Sequence, residues 1–519
     1  MKFVIRGITL PINHKEGDLA KKIAKETRTE PKYFSYTVLR KSIDARKGDV
    51  NFVYSVVVDS SIYLRGRNLV PYEEPKPLFI PKSRLDNRPI VVGFGPAGMF
   101  ASLLLARSGA KPIVLERGKC VEERSKDIDK LKQNAILNPN SNICYGEGGA
   151  GTFSDGKLNT GVNDERTKFV LEEFVKHGAK KDILVDALPH IGSDYLKNVV
   201  KNFREEIISL GGDILFQTEL TEVLTSKSKV CGVKCLSNGS PLVIDADRVI
   251  LAIGHSPFDT VSSLTKGGLA IAPKDFSIGV RIEHLQSAIN ETRYHSYSSN
   301  PLLPAASYKC VTHLNNGRAV YSFCMCPGGY VMNSSTEANT IVTNGMSNND
   351  RGGKNGNSAL LVPVKISDYF RNKPLDGFVF RQKIEQAAFL KEKPYYAPIQ
   401  LVGDFLSGCK SDSVKTVEPT YTPGVYFADL DHYLPGFISS SLKEGILSLA
   451  KQLAFMKDED AILPGFETRS SSPIRIPRDV SMQSNISGLY PCGEGASYAG
   501  GITSAALDGI KVALAVLGE

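Results

Sequence analysis

The sequence predicts an α/β fold, α+β overall, whose main parallel sheet draws its strands from two distant parts of the chain. An apolar run at 90–92 meets a glycine-rich turn and then a helical pattern over 96–107. A second glycine-rich turn, at 493–501, comes before another helical pattern that begins near Ile502. Both stretches follow the order strand, turn, helix, which is typical of parallel sheets that bind a ligand at the carboxyl ends of their strands.

The composition indicates a globular protein with more than one domain. The chain has 519 residues, of which 42% are hydrophobic and 23% charged, and one hydrophobic core rarely organises that length. The first residues lack the apolar segment of a signal peptide, and no uncharged apolar run of membrane-spanning length occurs, so we expect a cytoplasmic protein. Nine scattered cysteines form no CxxC pair, which argues against a disulfide framework and against structural zinc. We predict no metal site.

Residues 1–86 form a predicted small α/β module with a linker. An apolar strand (FVIRGITL), a helical stretch (GDLAKKIAKETR) and an alternating run (NFVYSVVVD) precede a proline-rich connector. This segment has 17 Lys and Arg against 10 Asp and Glu, so it holds +7 of the formal net charge of +8. The excess indicates either a docking surface for RNA or an acidic protein partner, or a solvated face. Interleaved acids and the lack of an aromatic stacking motif favour the solvated face.

The turn after the 90–92 strand has the spacing of a dinucleotide-binding fingerprint. Gly93 suits the tight turn, Gly95 the close approach of a pyrophosphate, and Gly98 the packing of helix against strand. Glu116 ends a second apolar strand 18 residues after Gly98, where a carboxylate can accept hydrogen bonds from a ribose. The alternative is a glycine-rich turn in an α/β unit that binds nothing.

Two more segments extend the predicted ligand site. The segment CYGEGGAGTFSDGKLNTG, at 144–161, holds six glycines, which fits a backbone that lies on a planar ligand or a phosphate. A flexible surface loop is the alternative for it. The apolar strand in ADRVILAIGHSP stops at Gly254, as expected of a strand end over which a nucleotide passes.

A ligand that reaches from the first glycine-rich turn to the last one is long, and FAD is such a ligand. Glu494 would lie near its ribityl or pyrophosphate region, and the helix from Ile502 would direct its positive end at the flavin edge that gains charge on reduction. The predicted FAD-binding residues are Gly93, Gly95, Pro96, Ala97, Gly98, Glu116, Arg117, Gly149, Gly151, Thr152, Ser154, Gly156, Lys157, Gly254, Gly493, Glu494, Gly500, Gly501 and Ile502.

Three charged or titratable residues are candidates for catalysis, each with a structural alternative. Lys157 would stabilise negative charge on the flavin, or it is a solvent-facing loop lysine. His190, in LPHIGSDYL, is either a general acid or base or a buried histidine that holds the turn. Arg281 alternates with Glu283 in GVRIEH, so it binds an anionic substrate, neutralises reduced flavin, or forms a salt bridge to Glu283 or a neighbour.

Cys324 and Cys326 are the remaining catalytic candidates. The alternation in YSFCMC predicts a strand with both thiols on one face. Residues i and i+2 of an extended strand lie ~6.6–6.8 Å apart at Cα, the upper limit for a disulfide. A redox dithiol is therefore one interpretation, and structural cysteines that line a pocket are the favoured one.

No second GxGxxG motif for a nicotinamide nucleotide follows a strand elsewhere in the chain. NAD(P)H would therefore bind only transiently, or the electrons come from the substrate or from a partner.

Six motifs together resemble a known family, the uncharacterised FAD-dependent (NAD(P)/FAD-dependent) oxidoreductases with the FAD-dependent protein C-terminal domain. The motifs are VVGFGPAGMFAS, YGEGGAGTFSDGKLNTG, PHIGSDYL, IGVRIEH, YSFCMCPGGYV and GLYPCGEGASYAGGITSAALDGI. The resemblance covers residues from about 90 to 510 and extends to the N-terminal module. It implies FAD in a two-part Rossmann-like domain of glutathione-reductase type with an inserted β-rich domain, and it implies no particular substrate. Glu494 departs from the broader flavoprotein pattern, in which an aspartate is commoner.

We therefore predict four segments: the basic module and linker (1–86), the first part of the FAD-binding domain (87–270), an inserted substrate or cap domain (271–475) and the second part of the FAD-binding domain (476–519). The predicted function is that of an FAD-dependent oxidoreductase, a dehydrogenase or reductase, with hydride transfer at flavin N5 on an unidentified substrate. The alternatives are a flavin-dependent RNA-modifying enzyme and a non-enzymatic FAD redox sensor that binds a partner through residues 1–86.

Overall fold

Five parallel strands bring the glycine-rich turns together. The computed structural model describes residues 1–66 and 68–518; Arg67 of the predicted N-terminal module and Glu519 of the predicted last segment lie outside the described residues. The sheet confirms the prediction that its strands come from two distant parts of the chain, because the last strand pairs in parallel with one far earlier. From edge to edge the strands are Leu489–Pro491, Val249–Leu251, Ile90–Val92, Ile113–Leu115 and Asp213–Leu215.

Helices accompany this sheet and bury its apolar residues. The three central strands are almost entirely buried, as expected of parallel strands covered on both faces. Gly509 lets the last helix touch the first one of this region, since a Cβ at Gly509 would lie 2.1 Å from the carbonyl oxygen of Ala97. The helices are Pro96–Arg107, Val121–Asn134, Thr167–Lys176, Ser193–Ser209, Phe258–Lys266 and Ile502–Leu517.

A small antiparallel sheet is inserted between the third and fourth parallel strands in chain order. It consists of Thr218–Ser226, Lys229–Ser237 and Ser240–Asp245, with the middle strand at its centre. It leads the chain back to the parallel sheet at Val249.

The middle of the chain forms a mixed, largely antiparallel sheet of seven strands. Its strand order is Val311–His313, Ala319–Cys326, Asn355–Val364, Phe276–Leu285, Ile462–Pro464, Ala397–Leu401 and Val425–Phe427. Two-stranded ladders join Tyr330–Asn333 to Thr343–Met346 and Ala272–Pro273 to Ile474–Arg475. Its helices are Gln286–Tyr294, Ile366–Tyr369, Asp376–Ala387, Val402–Ser407 and Gly436–Leu449.

The N-terminal residues form a four-stranded antiparallel sheet with one helix, Asp18–Thr27. The strand order is Phe34–Lys47, Asp49–Ser60, Lys2–Pro11 and Val70–Pro71. Two backbone hydrogen bonds tie this unit to the rest of the chain, from Lys41 N to the Val185 carbonyl (2.7 Å) and from Ala187 N to the Lys41 carbonyl (2.8 Å). Across the described residues, none of the helices is long and apolar enough to cross a membrane.

Candidate functional site

A cavity of about 730 Å³ opens at the carboxyl ends of the parallel strands, a size common for ligand sites. Val92, Leu115, Ala252 and Cys492 line it, and each of them ends or directly follows one of these strands. The structure brings most of the predicted FAD-binding residues to its wall. They are Gly93, Gly95, Pro96, Ala97, Glu116, Arg117, Gly149, Gly151, Ser154, Gly156, Lys157, Gly254, Gly493, Glu494, Gly500, Gly501 and Ile502.

Two predicted cofactor-binding residues do not line the cavity. Gly98 faces the strand instead, since a Cβ there would lie 1.9 Å from the Gly93 carbonyl oxygen. It serves the packing of the helix against the strand, which is the role that its place in the motif predicts. Thr152 is buried and donates its hydroxyl to the Glu147 carbonyl at 3.0 Å. The prediction that Thr152 contacts the cofactor is therefore corrected: its side chain holds the 144–161 segment together.

The glycines let three chain segments converge on the cavity. A Cβ on Gly149, whose φ is +61°, would lie 2.9 Å from the Cα of Gly95, and one on Gly151 would lie 3.3 Å from the Ile502 side chain. The helices that begin at Pro96 and Ile502 both start after a glycine and have no side-chain cap. Their free N–H groups and positive dipole ends remain for a phosphate or another electron-rich group.

Glu116 braces three turns at once. Its carboxylate accepts hydrogen bonds from the backbone N–H groups of Phe94 (2.8 Å), Gly118 (2.9 Å) and Gly146 (2.8 Å). A carboxylate has about four acceptor positions, so one remains for the ribose that the sequence predicted. Its neighbour Arg117 is held at the cavity wall by two hydrogen bonds to Asp259, of 2.9 and 2.6 Å.

Arg124 is a structural residue of the site that sequence reasoning missed. It is fully buried and donates to the carbonyls of Asn142 (2.8 Å), Ile143 (2.7 Å), Glu147 (2.6 Å) and Gly149 (2.9 Å). This arginine thus shapes the glycine-rich segment. No local signal marks it, because the helix VEERSKDIDKLKQN looks solvent-exposed throughout.

Lys157 is held as a permanent cation in the cavity wall. Its Nζ lies 3.0 Å from Oδ2 of Asp155, which is fully buried and also receives 3.1 and 2.7 Å hydrogen bonds from Arg351. Despite the burial, Lys157 and Arg351 lower the pKa of Asp155 to about 2. Thr503, in the first turn of the last helix, donates a 2.7 Å hydrogen bond to the carbonyl of Leu158. The lysine therefore lies beside that helix start.

Two carboxyl groups of the wall have pKa values raised toward neutrality. Burial raises the pKa of Glu494 to about 7 against the attraction of Lys274. Burial likewise raises the pKa of Glu467 to about 7, although Arg281 opposes this. His255 lines the same wall 3.8 Å from Glu494, and its buried Nδ1 has no protein partner among the described residues. Burial lowers its pKa to about 3, so this histidine is neutral.

Arg281 lies behind the cavity wall and is fully buried. It forms a 3.0 Å ion pair with Glu467 and donates to Asn357 Oδ1 at 2.8 Å and to the Cys324 carbonyl at 2.8 Å. This ion pair confirms the predicted alternative of a salt bridge to Glu283 or a neighbour, with Glu467 as the partner; the Glu283 carboxylate instead accepts hydrogen bonds from Thr420 and Asn355. The predicted contact of Arg281 with a substrate is not supported, because its side chain is fully buried and does not line the cavity.

His190 also lies outside the wall of the cavity. Its Nε2 is 3.0 Å from the Asn349 carbonyl, and its backbone bridges to Lys157. Burial and nearby Arg351 lower its pKa. Its position outside the cavity wall counts against the general acid or base interpretation; the histidine is half-buried rather than buried, and its hydrogen bond links its turn to the loop at Asn349.

The two cysteines have different positions. Cys324 lines the cavity, whereas Cys326 is fully buried behind it. The predicted strand is present as Ala319–Cys326, but its pairing with Asn355–Val364 shifts register between Phe323 and Cys326. The regular i, i+2 geometry expected from the sequence is therefore wrong at this point.

Comparisons with known proteins agree with a flavin site. Residues 275–470 match the family model "FAD-dependent protein, C-terminal domain-like", and residues 3–59 match a domain of unknown function (DUF8436). A protein of Clostridium beijerinckii (strain ATCC 51743 / NCIMB 8052), described only as uncharacterized, is 43% identical over 526 residues, which cover 99% of this chain and 98% of that protein.

Similar solved structures include flavin enzymes at low identity. The flavin-dependent brominase Bmp2 is 13% identical with a TM-score of 0.37, over 83% of this chain and 79% of that one. Glycine oxidase from Bacillus cereus ATCC 14579 is 13% identical with a TM-score of 0.32, over 84% of this chain and 96% of that one. CtdE in complex with FAD is 14% identical with a TM-score of 0.28, over 82% and 83%. Likenesses at these TM-scores carry no information on the reaction.

Proposed function

The chain belongs to the family of FAD-dependent proteins indicated by the match of its residues 275–470 and shared with its Clostridium beijerinckii relative, and on that premise we propose that it is an FAD-dependent oxidoreductase. FAD is its cofactor. When bound, FAD supplies two-electron redox chemistry. The protein must supply binding, orientation and charge.

The cavity residues fit FAD from end to end. Gly93 and Gly95, with the uncapped helix start at Pro96, suit the pyrophosphate, and the open acceptor position of Glu116 suits the ribose. The orphaned Nδ1 of His255 offers one more polar contact in the same wall. The glycines at 149 and 151 leave room where side chains would collide with the opposite turn.

One observation carries the redox proposal: fixed positive charge lies in the cavity wall beside the start of the last helix. Lys157, fixed by Asp155, adjoins the uncapped start of the helix Ile502–Leu517, and the Thr503 hydrogen bond to Leu158 fastens the two together. Positive charge fixed in this way stabilises negative charge that develops on a reduced ligand.

The remaining wall provides proton-handling groups and space for a substrate. Glu494 and Glu467 titrate near neutral pH because of burial, so either can hold or release a proton at the cavity wall. Tyr308, Lys309 and Phe323, from the large sheet and the loop before it, line the part of the cavity beyond the glycine turns. A substrate would enter there, between the parallel sheet and the large sheet. We also propose that the domain boundaries lie at residues 86, 270 and 475, as the sequence predicts. The two FAD-binding segments would then form one domain of glutathione-reductase type.

The experiment is an anaerobic titration of the purified protein with NADH and NADPH, followed through the visible flavin band. Bleaching by one nucleotide on a catalytic timescale, reversed by an added electron acceptor, is the expected result for an oxidoreductase with a transient NAD(P)H site. A flavin band that neither nucleotide changes would assign the electrons to a substrate or a partner. A colourless protein that does not take up added FAD would contradict the proposal.

The second candidate is a protein whose flavin state is linked to a partner, as in the predicted RNA-modifying enzyme or redox sensor. One observation favours it: the N-terminal unit is bonded through Lys41 to residues 185–187, and the next residue, Leu188, lines the cavity. Fluorescence anisotropy with a labelled RNA, at rising salt and in both flavin states, tests it. Equal, negligible binding in both states would remove this candidate for RNA.

A further inference from the structure

The strand that carries Cys324 and Cys326 is distorted at the two thiols. Phe323 pairs with Ala359, but Cys326 pairs with Asn357, so one extra residue is accommodated in a β-bulge. Cys324 adopts a φ of +43°, a backbone conformation that is unfavourable for residues other than glycine. The bulge brings the two thiols into one environment: Cys326 Sγ lies 3.3 Å from the Cys324 carbonyl oxygen, and each thiol shifts the pKa of the other.

Two fixed cations flank this thiol pair. Lys157 Nζ and Arg281 Nη2 each lie 4.0 Å from Cys326 Sγ. Each cation is held in turn by a buried carboxylate, Lys157 by Asp155 and Arg281 by Glu467. Cations at that distance favour the thiolate, which is the form that reacts.

The two thiols titrate as a pair. The interaction with Cys326 and the nearby Lys157 and Arg281 lower the pKa of Cys324, although burial and Asp155 oppose this. The interaction with Cys324 and burial raise the pKa of Cys326. The first proton lost from the pair therefore leaves a thiolate beside a thiol.

The two sulfurs differ in access. Cys324 lines the FAD cavity and Cys326 is fully buried behind it. Lys157 connects the pair to the helix start at Ile502 through Leu158 and Thr503. Two cysteines that only fill space need neither a strained bulge nor two fixed cations.

We propose that Cys324 and Cys326 form a dithiol–disulfide couple that exchanges two electrons with the bound FAD. Oxidation of the thiolate–thiol pair joins the two sulfur atoms in one S–S bond, releases the one remaining thiol proton, and passes two electrons to FAD; reduction reverses each of these changes. Cys324 reacts with a disulfide or thiol that enters the cavity, because it is the one of the two that lines the cavity. Cys326 is the resolving thiol. This inference rests on the proposed oxidoreductase function.

Peptide masses test the couple independently of enzyme activity. Trypsin cleaves after Arg318 and after Arg351, so one peptide, 319–351, contains both cysteines and no other. The FAD-loaded protein is oxidised with diamide, denatured, treated with N-ethylmaleimide and digested. The expected result is that this peptide is lighter by two hydrogens and carries no maleimide. Cys310, alone in peptide 310–318, is the internal control and is fully labelled.

The link to FAD is tested in the same sample. Photoreduction of the flavin without air or thiol reagents is expected to restore two labelled cysteines in peptide 319–351. A disulfide that persists beside fully reduced flavin overturns the exchange, and complete labelling of both cysteines after diamide overturns the couple. If either result is found, a flavin band that still bleaches and recovers leaves the proposed oxidoreductase function intact. A protein that contains no flavin contradicts that function, but the peptide masses still report whether the two cysteines form a disulfide.

Single variants assign the two roles. With oxidised glutathione, C326S is expected to hold one glutathione on Cys324, because no resolving thiol releases it. C324S is expected to hold none, because Cys326 is buried. The reverse pattern would overturn the assigned roles, and the wild-type peptide masses answer the main question even if a variant fails to fold.

Discussion

The Thr503 hydroxyl donates a 2.7 Å hydrogen bond to the carbonyl oxygen of Leu158, and both groups are buried. The contact joins the first turn of the last helix to the glycine-rich segment that carries Lys157. Two parts of the cavity wall that are remote in sequence thus hold each other in place.

Replacing Thr503 by valine is expected to weaken the contact between the last helix and the glycine-rich segment. The variant keeps the shape of the side chain but leaves the Leu158 carbonyl without its partner, which costs about 1–3 kcal/mol when the group is buried. Urea unfolding and FAD titration should both show the loss. Thr503→Ser keeps the hydroxyl and serves as the control; equal FAD affinity in all three proteins would contradict a role for this bond in the site.

Lys157→Met is expected to make the bound flavin harder to reduce. Loss of a charged contact worth about 1.5–3 kcal/mol lowers a two-electron midpoint potential by about 30–60 mV. Spectroelectrochemical titration measures the shift. Lys157→Arg should retain most of the wild-type potential, and the exposed Lys168→Met should leave it unchanged; a shift as large in Lys168→Met would show that the effect is not local.

Gly149→Ala is expected to disturb FAD binding. The new methyl group would lie 2.9 Å from the Gly95 Cα, and the φ of +61° disfavours any side chain. We expect weaker FAD binding and a lower unfolding free energy by roughly 1 kcal/mol or more. Gly161→Ala, in the same segment but with nothing within 4 Å of its new Cβ, is the matched control. Wild-type affinity in Gly149→Ala would mean that the two turns separate easily.

Glu494 is expected to make the FAD-free protein less stable as the pH rises toward neutral. Burial raises its pKa from 4.5 to about 7, so between those values the folded chain binds more protons than the unfolded chain, and the unfolding free energy falls with rising pH. Above about pH 7 this loss is complete. Glu494→Gln, which mimics the protonated acid, should lose less stability than the wild type between pH 5 and pH 8 in urea unfolding. The exposed Glu444→Gln should follow the wild type, and parallel curves for all three would refute the shift.

Local patterns predicted the elements of the site well. The turn at 93–98, the strand end at Gly254 and the helix from Ile502 follow from glycine spacing and helical periodicity over short stretches. The contacts that hold these elements together could not be predicted, because they connect residues far apart in sequence. Arg124 reads as a surface residue of a charged helix, yet it organises the glycine-rich segment.

The cysteines and Arg281 show the same limit. Alternation predicted a strand over 321–326, but the bulge arises from pairing with the 355–364 strand, which the local pattern does not contain. Arg281 forms its ion pair with Glu467, which follows the strand Ile462–Pro464, and not with Glu283, which is two residues away in sequence. A period of two places side chains on a face; it does not select their partners across the sheet.

The position of strand Leu489–Pro491 beside Val249–Leu251 sets the order in which this protein is assembled during synthesis. A ribosome completes the N-terminal unit, four of the five parallel strands and the large sheet before it makes the edge strand and the helix that close the cavity. The cavity wall is therefore incomplete until residues 489–517 have been made, and a nascent chain that stops before residue 489 leaves Val249–Leu251 as the edge strand of the parallel sheet.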